Sequence, residues 1–165
     1  MMLLGCKPGK VTDSLNLPEA GLGQLAFNSD GTVWVYCEAD AAINAMDVVI
    51  IHSDGGAQAI TATLGAVGTG LGKTVGVVAE TLSQSIAQGD FFWACRYAPA
   101  IAGIKFNAVA SVEDYEELYT SGTTGHLTDV FDGDQAVRGI VSTEADDVEP
   151  VGVINWPQLV DTLNA

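Results

Sequence analysis

Apolar residues recur at alternate positions along much of this chain, in short runs broken by Gly, Asp and Asn. That is the period of a β-strand, whose successive side chains point to opposite faces. Gln24–Phe27 and Thr32–Glu38 flank Asn28-Ser29-Asp30-Gly31, whose Asp-Gly pair suits a tight hairpin turn. Within Thr32–Glu38, Val33, Val35 and Cys37 share one face and Trp34 and Tyr36 the other. Both faces are apolar, so this strand is either central or covered by a partner. Further strands are predicted over Asp47–His52, with Ala57–Thr63 returning after Ser53-Asp54-Gly55-Gly56, and over Thr74–Thr81. The turn Gln88-Gly89-Asp90 then leads into Phe91–Tyr97, and Ile104–Ala110 forms a short strand. Ala136–Thr143 and Val151–Trp156 close the pattern around the acidic link Glu144–Glu149.

The stretch Ser111–Tyr119 reads equally as helix or strand, since Ser111 and Asp114 suit a capping box but its large apolar groups are few. Many short strands with turn signals between them predict an all-β fold, an antiparallel β-barrel or sandwich with at most one or two short helices. Residues 1–21 have no clear periodicity and read as an extended N-terminal arm. Residues 22–165 read as a single β domain; two packed subdomains, if present, would part near 98–112. Gly76, Gly139 and Gly152 each interrupt a β-branched run, where Gly marks a bulge or a close backbone approach.

Composition narrows the function classes. The 165 residues are 48% hydrophobic, enough to bury a core, and 6 Lys/Arg face 21 Asp/Glu for a net charge of −15. That field repels DNA and anionic lipid surfaces, so neither nucleic acid nor membrane is an expected partner. Residues 111–149 hold 11 of the acids and a single base, Arg138. Three cysteines, Cys6, Cys37 and Cys95, are odd in number and far apart, unlike a disulfide framework. Cys37 and Cys95 lie in apolar runs as buried small hydrophobes, and a reducing site of synthesis fits them. Leu3-Leu4-Gly5-Cys6 imitates a lipoprotein cleavage site, but the apolar run of roughly 7–15 residues that a secretory signal needs does not precede it.

Several motifs resemble chemistry and fail on detail. Tyr119-Thr120-Ser121-Gly122-Thr123-Thr124-Gly125 is similar to the phosphate loop of adenylate-forming enzymes, but His126-Leu127-Thr128-Asp129 stands where that family carries Pro-Lys. Gly68-Thr69-Gly70-Leu71-Gly72-Lys73-Thr74 is similar to a P-loop, with Val67 where the first Gly belongs and a strand where a helix should open. Glu113, Asp114, Glu116 and Glu117 sit in a cluster with no His and little apolar cover to separate their pKa values. Asp129–Asp134 lacks the ligand order of a calcium loop, and His52 and His126 stand without a nucleophile–base arrangement. The expectation is a non-enzyme without cofactor or metal.

What remains is aromatic weight in an acidic shell. A partner subunit is a natural second cover for strands with aromatics on both faces. The candidate partner or oligomer interface is therefore Leu3, Leu4, Lys7 and Lys10 of the arm, with Trp34, Tyr36, Phe92, Trp93, Arg96 and Trp156.

The order of features resembles the decoration (cement) proteins of tailed-bacteriophage capsids, in the small all-β type of environmental and cyanobacterial phages. The resemblance runs from Leu22-Gly23-Gln24 through Ser29-Asp30-Gly31, Val33–Tyr36, Ala39–Val49, Val75–Ala79 and Gly89–Trp93. It continues through Leu118–Leu127, Arg138–Val141 and Val153–Pro157. It implies a virion protein made in the host bacterial cytoplasm that binds the outer capsid surface. There it would bridge neighbouring copies of the major capsid protein, as a homo-oligomer and typically a trimer. The alternative is an extracellular β-sandwich module that binds carbohydrate or a cell surface, with the tryptophans as sugar platforms. A third reading is an enzyme built on the Ser121–Gly125 loop.

Overall fold

A computed structural model describes residues 3–62, 73–109, 112–113, 116–130, 135–143 and 149–160. Among these there is no helix; the fold is all-β. The strands are β1 (Leu3–Leu4), β2 (Leu25–Phe27), β3 (Val33–Ala39), β4 (Val48–Ile51), β5 (Gly56–Ala59) and β6 (Thr74–Val78). After them come β7 (Phe91–Ala98), β8 (Ile104–Lys105), β9 (Tyr119–Thr120), β10 (Leu127–Thr128), β11 (Ala136–Ser142) and β12 (Val151–Val160). All belong to one mixed sheet.

The hairpins follow the turn chemistry. β2 pairs antiparallel with β3 around the Asn28–Gly31 turn, where the Thr32 amide donates to Asp30 Oδ1 at 2.9 Å. β4 returns as β5 through Ser53–Gly55, with Asp54 Oδ1 accepting from the Gly56 amide at 3.1 Å. β5 then lies parallel to β3, β4 pairs with β6, β6 with β7, and β7 with β3. The pairings thus run β3–β5–β4–β6–β7 and return to β3.

This circuit supplies both covers for the two-faced strands. Val35, Cys37, Phe92 and Ala94 pack with Val49, Ile51, Ala57 and Val78 in one core cluster. Trp34, Tyr36, Trp93 and Cys95 pack in a second with Val48, Ile50, Val75, Phe106, Leu118, Ile154 and Leu159. The second cover expected from a partner comes from the chain's own later strands. The larger cluster draws residues from Ala26 to Leu159, on both sides of 98–112.

Three expectations change. Where a helix was weighed against a strand over Ser111–Tyr119, the described residues show no helix and Tyr119 opens β9; Ser111, Asp114 and Tyr115 lie outside the described residues. Of the predicted strand Ile104–Ala110, the described residues Ile104–Val109 show two in a strand, with Ala108 bridging Leu127, and Ala110 lies outside the described residues. Residues 3–20, read as an arm, run along the β body. β1 pairs parallel with β2, Thr12 and Phe91 exchange backbone bonds of 2.8 Å each, and the Ser83 amide donates to the Gly9 carbonyl at 2.7 Å. Gly68–Gly72 of the P-loop-like run, residues 131–134 of the acidic loop and residues 144–148 of the acidic link lie outside the described residues.

β12 changes partner along its length. It pairs with β8 at Val151 and Gly152, with β7 at Ile154 and Asn155, and with β6 at Gln158, with β11 along its other edge. The register slips between Arg138 and Ile140, and Trp156 takes φ +50°. Gly139 at φ +92° fills the slip; a Cβ there would stand 2.6 Å from the Asn155 carbonyl oxygen, so only Gly fits.

Candidate interaction surface

Five of the ten candidate interface residues are interior, Arg96 at 7% exposure and four aromatic residues. Trp34 and Trp93 are 2% exposed, and Tyr36 and Phe92 fully buried, in the single chain. Their polar tips are satisfied internally: Trp34 Nε1 donates to Thr32 Oγ1 at 2.7 Å and Trp93 Nε1 to Glu19 Oε1 at 2.8 Å. These four offer no side-chain surface to a partner, which corrects their assignment to an interface. The same burial removes two of three tryptophans as sugar platforms. Leu3 and Leu4 form β1 beside Ala26 and Phe27.

Glu19 organises the N-terminal face. Its carboxylate accepts from Trp93 and pairs with Lys10, and its amide donates to Tyr36 Oη at 3.1 Å. Tyr36 and Trp93 have ring centroids 4.8 Å apart, so this one residue anchors the segment to the aromatic cluster. Desolvation pushes the Glu19 carboxyl up, but the bonds from Lys10 and Trp93 and the charges of Lys10 and Lys7 outweigh it and hold it below its usual range. Around this segment lie open grooves, one of about 440 Å³ between Cys6, Lys7, Lys10, Glu19 and Trp93 and one of about 600 Å³ over Pro8, Gly9, Leu82 and Ser83.

Arg96 and Trp156 do meet. Val33 pairs with Tyr97 but Trp34 with Cys95, so Arg96 is the bulged residue of β7 and has no partner on β3. Its Nη1 donates to the carbonyls of Val75 on β6, at 2.7 Å, and Pro157 on β12, at 3.3 Å. The guanidinium therefore fills the place where β12 passes from β7 to β6. It has no carboxylate partner among the described residues and is 7% exposed. Burial lowers its pKa. The Trp156 ring lies over it, 5.5 Å from the guanidinium carbon to the ring centroid, and is 42% exposed. Tyr97 flanks that ring at 6.5 Å.

Within the described residues, the Ser121–Gly125 loop and the two histidines make hydrogen bonds inside the fold. Ser121 Oγ donates within its own turn, toward the carbonyls of Thr123 and His126 at 3.0 Å each, and accepts from the Thr123 amide. Gly125 bonds into the sheet through Ile60 and Val48. It also lies against the buried carboxylate of Asp47, which a Cβ at this position would strike. Asp47 in turn accepts from the Asn44 amide at 2.8 Å and Asn107 Nδ2 at 3.0 Å. Burial raises its pKa against those bonds. Buried Asp90 accepts from the amides of Ser14 and Ala87. His52 contacts Gln58 and Asp40, while His126 Nδ1 meets the Thr124 carbonyl at 2.8 Å. Among the described residues no three His, Cys, Asp or Glu converge as metal ligands. Cys37 and Cys95 are buried as expected, and desolvation pushes each thiol up to about 12.

Sequence reasoning passed over Leu15 and Leu17, which are 92% and 91% exposed, and Ile101, 95% exposed on the turn after β7. The only sequence signal is a Leu-Asn-Leu-Pro run directly after Asp13-Ser14, outside any strand. No protein-family profile matches the chain, and no curated protein is significantly similar to it.

Proposed function

We propose that this chain is a structural virion protein that attaches to the outer surface of an assembled phage capsid and bridges neighbouring major capsid subunits. The observation that carries this reading is an aromatic β core covered on both faces from within the chain, on a chain of charge −15. The acidic coat keeps the chain off packaged DNA and off anionic lipid and favours a basic protein surface. The resemblance of Leu22–Pro157 to capsid decoration proteins points the same way.

In this reading the circuit β3–β5–β4–β6–β7 closes as a small barrel, a stiff hub from which the turns project. A rigid display has little ordering entropy left to lose on docking. Attachment as a trimer adds avidity, because each further contact after the first is effectively intramolecular. Quantitative mass spectrometry of gradient-purified phage heads tests the proposal. The chain is expected in fixed proportion to the major shell protein, and its absence from heads rejects the reading. Raising salt is expected to release it, since the attraction is between an acidic chain and a basic shell.

A further inference from the structure

Arg96 is the one buried base among the described residues, yet no carboxylate of those residues meets its charge. The more exposed Lys10, Lys105 and Arg138 each pair with a glutamate, at Glu19, Glu80 and Glu117. The titratable groups acting on Arg96 are the thiols of Cys37 and Cys95, which burial keeps protonated. A guanidinium carries five N–H groups in a flat fork. Both hydrogens of Nη1 are used, on the carbonyls of Val75 at 2.7 Å and Pro157 at 3.3 Å. Those of Nε and Nη2 have no acceptor among the described residues. That edge is the one with which arginine holds a carboxylate through two parallel bonds. It is also not sealed. Among the described residues, fully enclosed side-chain polar atoms without a partner belong to Thr12 and Gln135 and not to Arg96, so the small exposed part of Arg96 includes this edge. A cation so placed is costly until a counter-charge meets it.

An aromatic wall stands beside it. Trp156 takes φ +50°, a left-handed conformation that bulky residues rarely adopt. Its ring centroid lies 5.5 Å from the guanidinium carbon, and Tyr97 flanks the ring at 6.5 Å. We infer that Arg96 and Trp156 form a binding site for a carboxylate, with Nε and Nη2 holding its two oxygens and the Trp156 ring shielding the pair. A small organic acid and an acidic side chain of another protein present this same group. The net charge of −15 repels anions at large, so a carboxylate retained here is held by the fork and not by the overall field. The site goes beyond the virion reading, and its test needs no phage heads.

The chain has two arginines, so its arginine Nε–H spectrum holds one reporter at the site, Arg96, and one control on the surface, Arg138. Acetate is titrated into the nitrogen-15-labelled full chain in mildly acidic buffer, replacing chloride at constant ionic strength. The expected result is a saturable shift of the Arg96 signal and none of Arg138, with a dissociation constant on the order of 1–10 mM for one bidentate pair. Arg96→Lys, which keeps the charge without the fork, is expected to lose about tenfold in acetate affinity, read from Trp156 fluorescence. Trp156→Ala is expected to lose about threefold, read from the Arg96 signal. Benzoate and a blocked glutamyl peptide separate the two sources. Tighter binding of benzoate assigns a small organic acid, and tighter binding of the peptide assigns a protein side chain. The site is overturned if the wild-type Arg96 signal stays still or moves only as Arg138 does, which leaves the edge merely hydrated. A stronger response to inorganic phosphate than to acetate overturns the carboxylate, and unchanged acetate binding by Trp156→Ala overturns the part given to the ring.

Discussion

Strands β3 and β7 and strands β11 and β12 form the two long antiparallel ladders of the molecule, and they differ in cover. Along β3 and β7 nearly every side chain is buried, and each face packs into its own core cluster. Along β11 and β12 buried residues such as Ile140, Ile154 and Leu159 alternate with exposed Arg138, Asn155 and Gln158. Each ladder contains one slipped residue, Arg96 in the first and Gly139 in the second. In the first the slip points a cation inward, onto the carbonyls of β6 and β12. In the second it brings Gly139 against the Asn155 carbonyl, next to Trp156, which is 42% exposed. The same local device therefore does opposite things, because one ladder is enclosed on two sides and the other on one.

Substitutions should separate the two. Trp93→Ala, on the enclosed ladder, is expected to cost about 3–5 kcal/mol in denaturant unfolding, as for other buried aromatics. A loss under about 1 kcal/mol would mean that face is not closed by the chain itself. Gly139→Ala is expected to cost about 1–3 kcal/mol, because a Cβ meets the Asn155 carbonyl at a left-handed φ. Trp156→Ala should cost about 1 kcal/mol or less, since it gives up only partial stacking on Tyr97 and Arg96. In wild type, the acrylamide-quenchable part of the tryptophan fluorescence should come from Trp156 and disappear in Trp156→Phe.

Smaller effects probe how firmly the enclosed ladder is held at its ends. The Glu19 carboxyl lies below its ordinary range, so its contribution is present above the unfolded carboxyl pKa of roughly 4.3 and is lost as pH falls through the lower folded value. The stability difference between wild type and Glu19→Gln should accordingly be largest near neutrality and vanish in acid. A difference that grows on acidification would contradict the assignment of Lys10 and Trp93 as its partners. Finally, thiol labelling at pH 8 should be slow in the native chain. Burial pushes Cys6 up to about 11 and Cys37 and Cys95 to about 12, and the thiolate is the reactive form. All three should label promptly in guanidinium.

Much of this architecture was legible residue by residue. The Asn28–Gly31 and Ser53–Gly55 turns, the alternation in Val33–Ala39 and the glycine inside Arg138–Val141 each carry a local signal that the structure keeps. The interface residues were less legible. Trp34, Tyr36, Phe92 and Trp93 have the composition of a contact surface and of a core alike, and only their neighbours distinguish the two. Leu15 and Leu17 escaped notice because a turn has no period to mark an outward residue.

By itself the sequence determined that this protein is a β protein with an acidic coat and buried thiols, since period, turn chemistry and charge are properties of neighbouring residues or of their sum. The tertiary structure decided which apolar faces are covered from within, which are left to solvent, and that Arg96 lies under Trp156. Those outcomes depend on where strands distant in the chain return, and alternation records only that a face is apolar, not what will cover it.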